Sequence, residues 1–174
     1  MKKALLATAV VGALTIGTPL ATWAEDSKGY SEMALSYEML TNEGLSSSAS
    51  TPVLAVKYRS IGKRWNNFGS EVVLGIPMGE DTVGTAKVRN AYWAVFFASV
   101  IPLNEQVDFN AKLGYGTVST FAKVGSESTT SSDGGLAWGL GASYKLNNKV
   151  ALSLDYNKLH SNVGGIGFGA NYRF

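Results

Sequence analysis

Apolar and polar residues alternate with a period of two through most of the chain. Met33, Leu35, Tyr37 and Met39 alternate with Glu32, Ala34, Ser36 and Glu38, and Leu54, Val56 and Tyr58 with Ala55, Lys57 and Arg59. The pattern returns with Phe68, Val72, Leu74 and Ile76, with Val107 to Tyr115, with Leu136 to Leu146, with Val150 to Tyr156, and with Ile166, Phe168, Ala170, Tyr172 and Phe174. A period of two puts one set of side chains on each face of an extended strand. A helix, with its period of 3.6, cannot present such a set as one face. From about Val88 to Ile101 both sets are apolar. Here the expected register turns Trp93, Val95, Phe97 and Ile101 outward and Tyr92, Ala94, Phe96 and Ala98 inward, and a slip by one residue would exchange them.

The connections alternate in length. Gly62 to Asn67, Pro102 to Gln106 and Asn147-Asn148 are compact. Thr41 to Thr51, Pro77 to Ala86 and Val118 to Gly134 are longer and rich in Ser, Thr and Gly, and Leu159 to Gly164 takes the remaining long-loop position. Eight strands joined in this way predict an all-β fold, an eight-stranded antiparallel up-and-down barrel. The serine-rich stretches Ser46 to Ser48 and Ser126 to Ser132 are expected as flexible loops.

The start of the chain lies outside this pattern. Lys2 and Lys3 precede an apolar run from Ala4 to Gly17, Pro19 ends it, and Thr22-Trp23-Ala24 supplies a small-residue cleavage site. Residues 1–24 are expected to be a secretory signal peptide and residues 25–174 the barrel domain. The charge of +2 belongs to the signal: without Lys2 and Lys3 the fifteen basic residues fall to thirteen, equal to the thirteen acidic ones, so nothing points to nucleic acid. With no cysteine and one histidine, His160, the common zinc sites built from several such ligands are excluded, and no cofactor is implied.

Composition also orients the barrel. The second face is rich in Gly, Ala, Ser and Asn with scattered charges, as a narrow eight-stranded lumen requires. The apolar face carries aromatic residues near strand ends: Tyr58, Phe68, Tyr115, Trp138, Tyr144, Tyr156, Tyr172 and Phe174. Rings with an apolar body and a polar edge suit the two membrane–water interfaces. The segments approach the roughly 9–11 residues with which a tilted strand crosses a bilayer. The expectation is therefore a transmembrane barrel with lipid outside, rather than a soluble one with an apolar interior.

The stretches IPLNEQVDFNAKLGYG (Ile101 to Gly116), GASYKLNNKVALSLDYN (Gly141 to Asn157) and the closing FGANYRF resemble the transmembrane domain of outer-membrane protein A and its small stand-alone relatives, the OmpX- and opacity-type barrels of the porin family. That resemblance implies a Gram-negative outer-membrane location, periplasmic termini, and contact with outer-membrane lipids and lipopolysaccharide. It also implies recognition of the terminal Phe174 by the outer-membrane assembly machinery. The role it implies is structural, with four loops displayed outside and no enzymatic activity. The alternatives are a narrow channel for small solutes, surface adhesion or host interaction through the loops, and lipid A hydrolysis.

Members of that family hold acidic and basic side chains in the lumen, and Glu71 and Lys112 fall where an acid and a base are placed. Ser143 and Ser153 stand where the larger relative has further charges. Glu38, Lys57, Arg59, Asp108, Lys145, Asp155 and Arg173 are further inward candidates. The expected pairs are Glu71–Lys112 and Asp155–Arg173, because buried charges need partners.

Leu159-His160-Ser161-Asn162 resembles the His-x-Ser-Asn stretch of the lipid A deacylase barrels. There His and Ser lie two apart, on one face. Here they are adjacent, which in a strand puts them on opposite faces, and no carboxylate follows His160 to orient the ring. No catalytic residue is assigned. Lys87, Arg89, Lys123 and Lys158 stand near the outer loops and could meet lipopolysaccharide phosphates; they are scattered in sequence, and ordinary solvated surface is the simpler reading.

Overall fold

The computed structural model describes residues 29–42, 49–62 and 67–174. The expected signal peptide, its cleavage site and the serines of the first outer connection lie outside the described residues. Nine strands follow one another: β1 (Tyr30–Asn42), β2 (Ala49–Gly62), β3 (Phe68–Pro77), β4 (Asp81–Val83), β5 (Ala86–Pro102), β6 (Val107–Val124), β7 (Glu127–Lys145), β8 (Val150–His160) and β9 (Val163–Arg173). Each pairs antiparallel with its sheet neighbours, β1 pairs with β9, and β3 pairs with β5, which closes the sheet. Eight strands are barrel staves; β4 is a short lip beside the top of β5.

Closure satisfies the backbone where lipid offers no hydrogen bonds. The terminal strand takes part, with Arg173 opposite Glu32 and Val163 opposite Asn42. Phe174 adds a backbone bond from its N–H to the Ser31 carbonyl, 3.0 Å.

Two of the short turns repeat one solution. Leu103-Asn104-Glu105-Gln106-Val107 and Leu146-Asn147-Asn148-Lys149-Val150 share the pattern Leu-Asn-x-x-Val. In the first, Asn104 Oδ1 accepts from the N–H groups of Gln106 and Val107 at 2.9 and 2.8 Å. In the second, Asn147 Oδ1 accepts from those of Lys149 and Val150, both at 2.8 Å. The asparagine carboxamide thus mimics a backbone turn and pins the hairpin register.

The outer connections depart from expectation. Val118 to Gly134 is not a loop but the continuation of β6 and β7, joined by Gly125-Ser126 with Val124 opposite Glu127. Gly125 has φ 59°, the left-handed geometry that a two-residue hairpin needs and glycine supplies without strain. The threonines and serines read as loop residues instead continue the ladder, with Ser119 and Ser132 hydroxyls 2.8 Å apart. Short polar side chains, β-branched in the threonines, suit a two-sided solvated strand as well as a loop. The connection after β3 likewise contains β4.

Burial follows the alternation. Met33, Leu35, Tyr37, Leu113, Leu136, Leu154, Ile166 and Phe168 are exposed on the outside, while the intervening residues are mostly buried inside. The β5 register places Trp93, Phe97 and Ile101 outward and Tyr92, Ala94, Phe96 and Ala98 in the interior.

Candidate functional site

The lumen gathers ten charged side chains, five carboxylates and five cations, from seven of the eight staves. One chain of contacts runs Lys112–Glu71–Arg59–Glu32–Arg173–Asp108–Lys145. Lys112 Nζ meets Glu71 Oε1 at 2.5 Å, and the Arg59 guanidinium grips Glu71 through Nε at 2.6 Å as well as through its second nitrogen. Arg59 reaches Glu32 at 3.0 Å; Arg173 reaches Glu32 at 3.6 Å and Asp108 at 4.0 Å; Lys145 reaches Asp108 at 2.7 Å. A second group centres on Lys57, which sits 2.8 Å from Glu38 and 2.9 Å from Asp155. Tyr92 donates its hydroxyl to the other Glu38 oxygen.

Strand parity explains why these side chains meet. Glu32, Ser36 and Glu38 share one face of β1, Lys57 and Arg59 one face of β2, and small inward residues elsewhere make room. A Cβ at Gly167 would lie 2.6 Å from Glu38 Cγ, and one at Gly139 2.6 Å from Lys112 Cε. The glycines are where the long charged chains lie across the barrel.

The structure brings Glu71 and Lys112 together. It separates Asp155 from Arg173, contrary to the sequence expectation. Asp155 lies opposite Gly167 in the β8–β9 register, six residues from Arg173 on β9, about 20 Å along the strand. Lys57, from across the barrel, takes Asp155 instead. Glu32 was not singled out from sequence, yet it bridges Arg59 and Arg173; its parity with Glu38 was the available signal. Ser143 and Ser153 lie directly opposite each other and are buried, and Ser153 donates to Asn171 at 2.9 Å.

Little space remains. The cavity among Glu32, Lys57, Arg59, Glu71 and Asp155 measures about 10 Å³, room for about one water. Toward the long-hairpin end, Leu40, Val53, Tyr92, Val118, Leu159 and Val163 form a buried apolar layer. The lumen is thus a charge network capped by hydrocarbon.

The outward aromatic residues fall into two groups. Tyr58 and Phe174 rings lie 6.5 Å apart, and Phe68 stacks on Phe97 at 5.4 Å, toward the short-turn end. Tyr144 and Tyr172 lie on the last turns of β7 and β9, and Tyr144 Oη is 3.5 Å from Gln106. Higher up, Trp93 meets Tyr115 at 6.1 Å and Trp138 meets Tyr156 at 5.5 Å. Trp138 and Tyr144 are six residues apart on β7, about 20 Å along the strand.

His160, at the end of β8, has a carboxylate neighbour that sequence order did not show: Asp133 of β7 lies 4.0 Å from Nδ1. The Asn162 N–H also points at Nδ1, 3.4 Å away. At 4.0 Å the Asp133 carboxylate is beyond hydrogen-bond reach of Nδ1, so the pair lacks the hydrogen bond that orients the base in triad chemistry.

The chain matches the family described as outer membrane protein beta-barrel domain over residues 6–174. No curated protein matches it. Among solved structures, the attachment invasion locus protein Ail of Yersinia pestis is 22% identical with a TM-score of 0.60, covering 84% of this chain and 97% of its own. OprG of Pseudomonas aeruginosa is 13% identical with a TM-score of 0.58, covering 85% and 97%. Neisserial surface protein A is 14% identical with a TM-score of 0.57, covering 85% and 98%. At these identities the likeness is one of fold.

Proposed function

The chain belongs to the outer membrane protein β-barrel domain family and is an outer-membrane barrel, and on that premise we propose that it is a sealed structural barrel carrying a polar sheet above the outer surface. The sealed lumen carries this reading. Ten paired charges and an apolar cap occupy the lumen, and the cavities of about 10 Å³ among Glu32, Lys57 and Glu71 and beside Lys145 and Arg173 each have room for about one water, far short of a hydrated path for a solute. Purified protein in a planar bilayer should give no steady conductance. Regular single-channel steps would replace this reading with the narrow-channel one.

The role is non-catalytic in this reading, since His160 lacks an oriented partner. Phe174 is proposed as an assembly signal: deleting it should lower the yield of membrane-inserted, heat-modifiable protein in cells, and normal insertion would count against that.

Surface attachment is a second reading, favoured by one observation. β7 pairs with β8 only from Trp138 to Lys145. Among the described residues, Glu127 to Ala137 have no strand partner on that side. This exposed edge could accept an extended partner chain through backbone hydrogen bonds.

A further inference from the structure

We propose that Lys87, Arg89 and Lys123 form a binding site for the phosphorylated headgroup of an outer-leaflet glycolipid. The three cations, scattered in sequence, are brought together by the β5–β6 register. Lys87 lies directly opposite Lys123, and Arg89 opposite Phe121. All three cations are exposed. The Arg89 guanidinium lies over the Phe121 ring, 5.2 Å from its centroid, a cation–π contact.

Like charges directly across a pair of strands repel each other, and little here relieves that repulsion. Glu80 approaches Lys87 at 3.9 Å, with both ends largely in solvent. The Asp81 carboxylate accepts from the N–H groups of Ser50 and Thr82, and Asp81 stands opposite Val88, on the other face. Glu127 stands opposite Val124, again on the other face. Three cations thus face one loosely held carboxylate. Hydroxyls flank them in register: Thr82 opposite Lys87, Ser128 opposite Lys123, Thr130 opposite Phe121. Cations edged by hydroxyls suit a phosphate carried on a sugar, which takes charge-assisted and neutral hydrogen bonds together.

Position selects the source of the phosphate. The cations share the outward face of β5 and β6 with Trp93 and Tyr115, the upper aromatic pair. Arg89 stands four residues beyond Trp93, about 13 Å along the strand and roughly 10 Å in height once the strands tilt. Long basic side chains cover part of such a distance. A lipid whose acyl chains lie against Val95, Phe97 and Leu113 therefore presents its headgroup to these cations at high local concentration. A soluble anion meets only an open sheet face.

The test uses the full chain refolded in detergent micelles, titrated with bis-phosphorylated lipid A and with the same lipid lacking both phosphates. The wild-type protein should bind the phosphorylated form at least about tenfold more tightly, with an advantage that fades as salt rises. The triple variant Lys87→Gln/Arg89→Gln/Lys123→Gln should lose that advantage while staying heat-modifiable on gels. Lys149→Gln, at the opposite end of the barrel, should keep it. Lys123→Glu separates binding from structure: it should weaken binding of the phosphorylated lipid A yet stabilise the lipid-free protein, by pairing with Lys87. Equal affinity of wild type and triple variant for the phosphorylated lipid overturns the proposal. So does displacement of that lipid by a soluble sulfated glycan at matched charge. The inference rests on the outer-membrane reading, whose own failure shows differently, as no uptake of either lipid form.

Discussion

The barrel has a low wall and a high wall. β8 and β9 have 11 residues each, about 36 Å of strand, close to what a tilted crossing needs. β6 and β7 have 18 and 19 residues, about 60 Å, and leave the barrel together with the top of β5 and the lip β4. The same strand obeys two sets of rules along its length. Below about Thr117, β6 alternates Leu113 and Tyr115 outward with Asn110 and Lys112 inward. Above it, the outward positions are Ser119, Phe121 and Lys123: a hydroxyl, a ring beneath the Arg89 guanidinium and a cation. The apolar band marks where hydrocarbon ends, and strand length does not: backbone hydrogen bonding carries the sheet onward once the bilayer no longer demands it.

The sharpest break in this comparison comes from the interior. Glu71→Leu strands Lys112 and removes one of the two carboxylates of Arg59, and should cost roughly 3 to 5 kcal/mol of stability. Urea unfolding in lipid would measure it, and the double variant Glu71→Leu/Lys112→Leu should recover part of the loss. Next, a basic residue on the outer face separates the two regions directly. Leu35→Arg, in the exposed apolar band, should cost about 2–4 kcal/mol in a bilayer if it lies near the midplane, whereas Thr130→Arg on the high wall should not move the unfolding midpoint. Equal effects would mean that the high wall is also immersed. The smallest effect is expected at the hairpin tip. Gly125→Val forces a β-branched residue to positive φ, at about 1–2 kcal/mol. The cost should appear as faster amide exchange in Ser119 to Ser132, with barrel stability unchanged.

Much of this was legible in the sequence because a period of two is a strong signal wherever one face meets hydrocarbon. Parity alone assigned Lys57, Arg59, Lys112 and Asp155 to the lumen. It could not pair them, since partners in a cylinder come from across the diameter: Lys57 and Asp155 are 98 positions apart. The Asp155–Arg173 expectation joined sequential strands and missed that the hairpin register sets the two at different heights. The high wall was misread because Ser and Thr carry no alternation in hydropathy, and with both faces in water the sheet leaves no periodic trace. Lys87, Arg89 and Lys123 were legible as outer-loop cations but not as a cluster, since only the β5–β6 register makes Lys87 and Lys123 neighbours.

The ring of paired charges has a consequence for how the chain is completed. Glu32 lies on the first strand and Arg173 on the last, and Asp155 and Lys57 also join opposite ends of the sequence. An unclosed sheet leaves Arg173 and Asp155 without these partners, and leaves Glu32 and Lys57 only Arg59 and Glu38 from the β1–β2 pair, facing a nascent interior that is losing water. Intermediates lacking β9 are thereby penalised, and the penalty lifts only when the correct register brings Arg173 to Glu32. A slip by one residue would turn Arg173 outward and restore it. The lumen charges therefore act as a proofreading device for assembly, rejecting wrongly sealed cylinders that an all-apolar filling would tolerate.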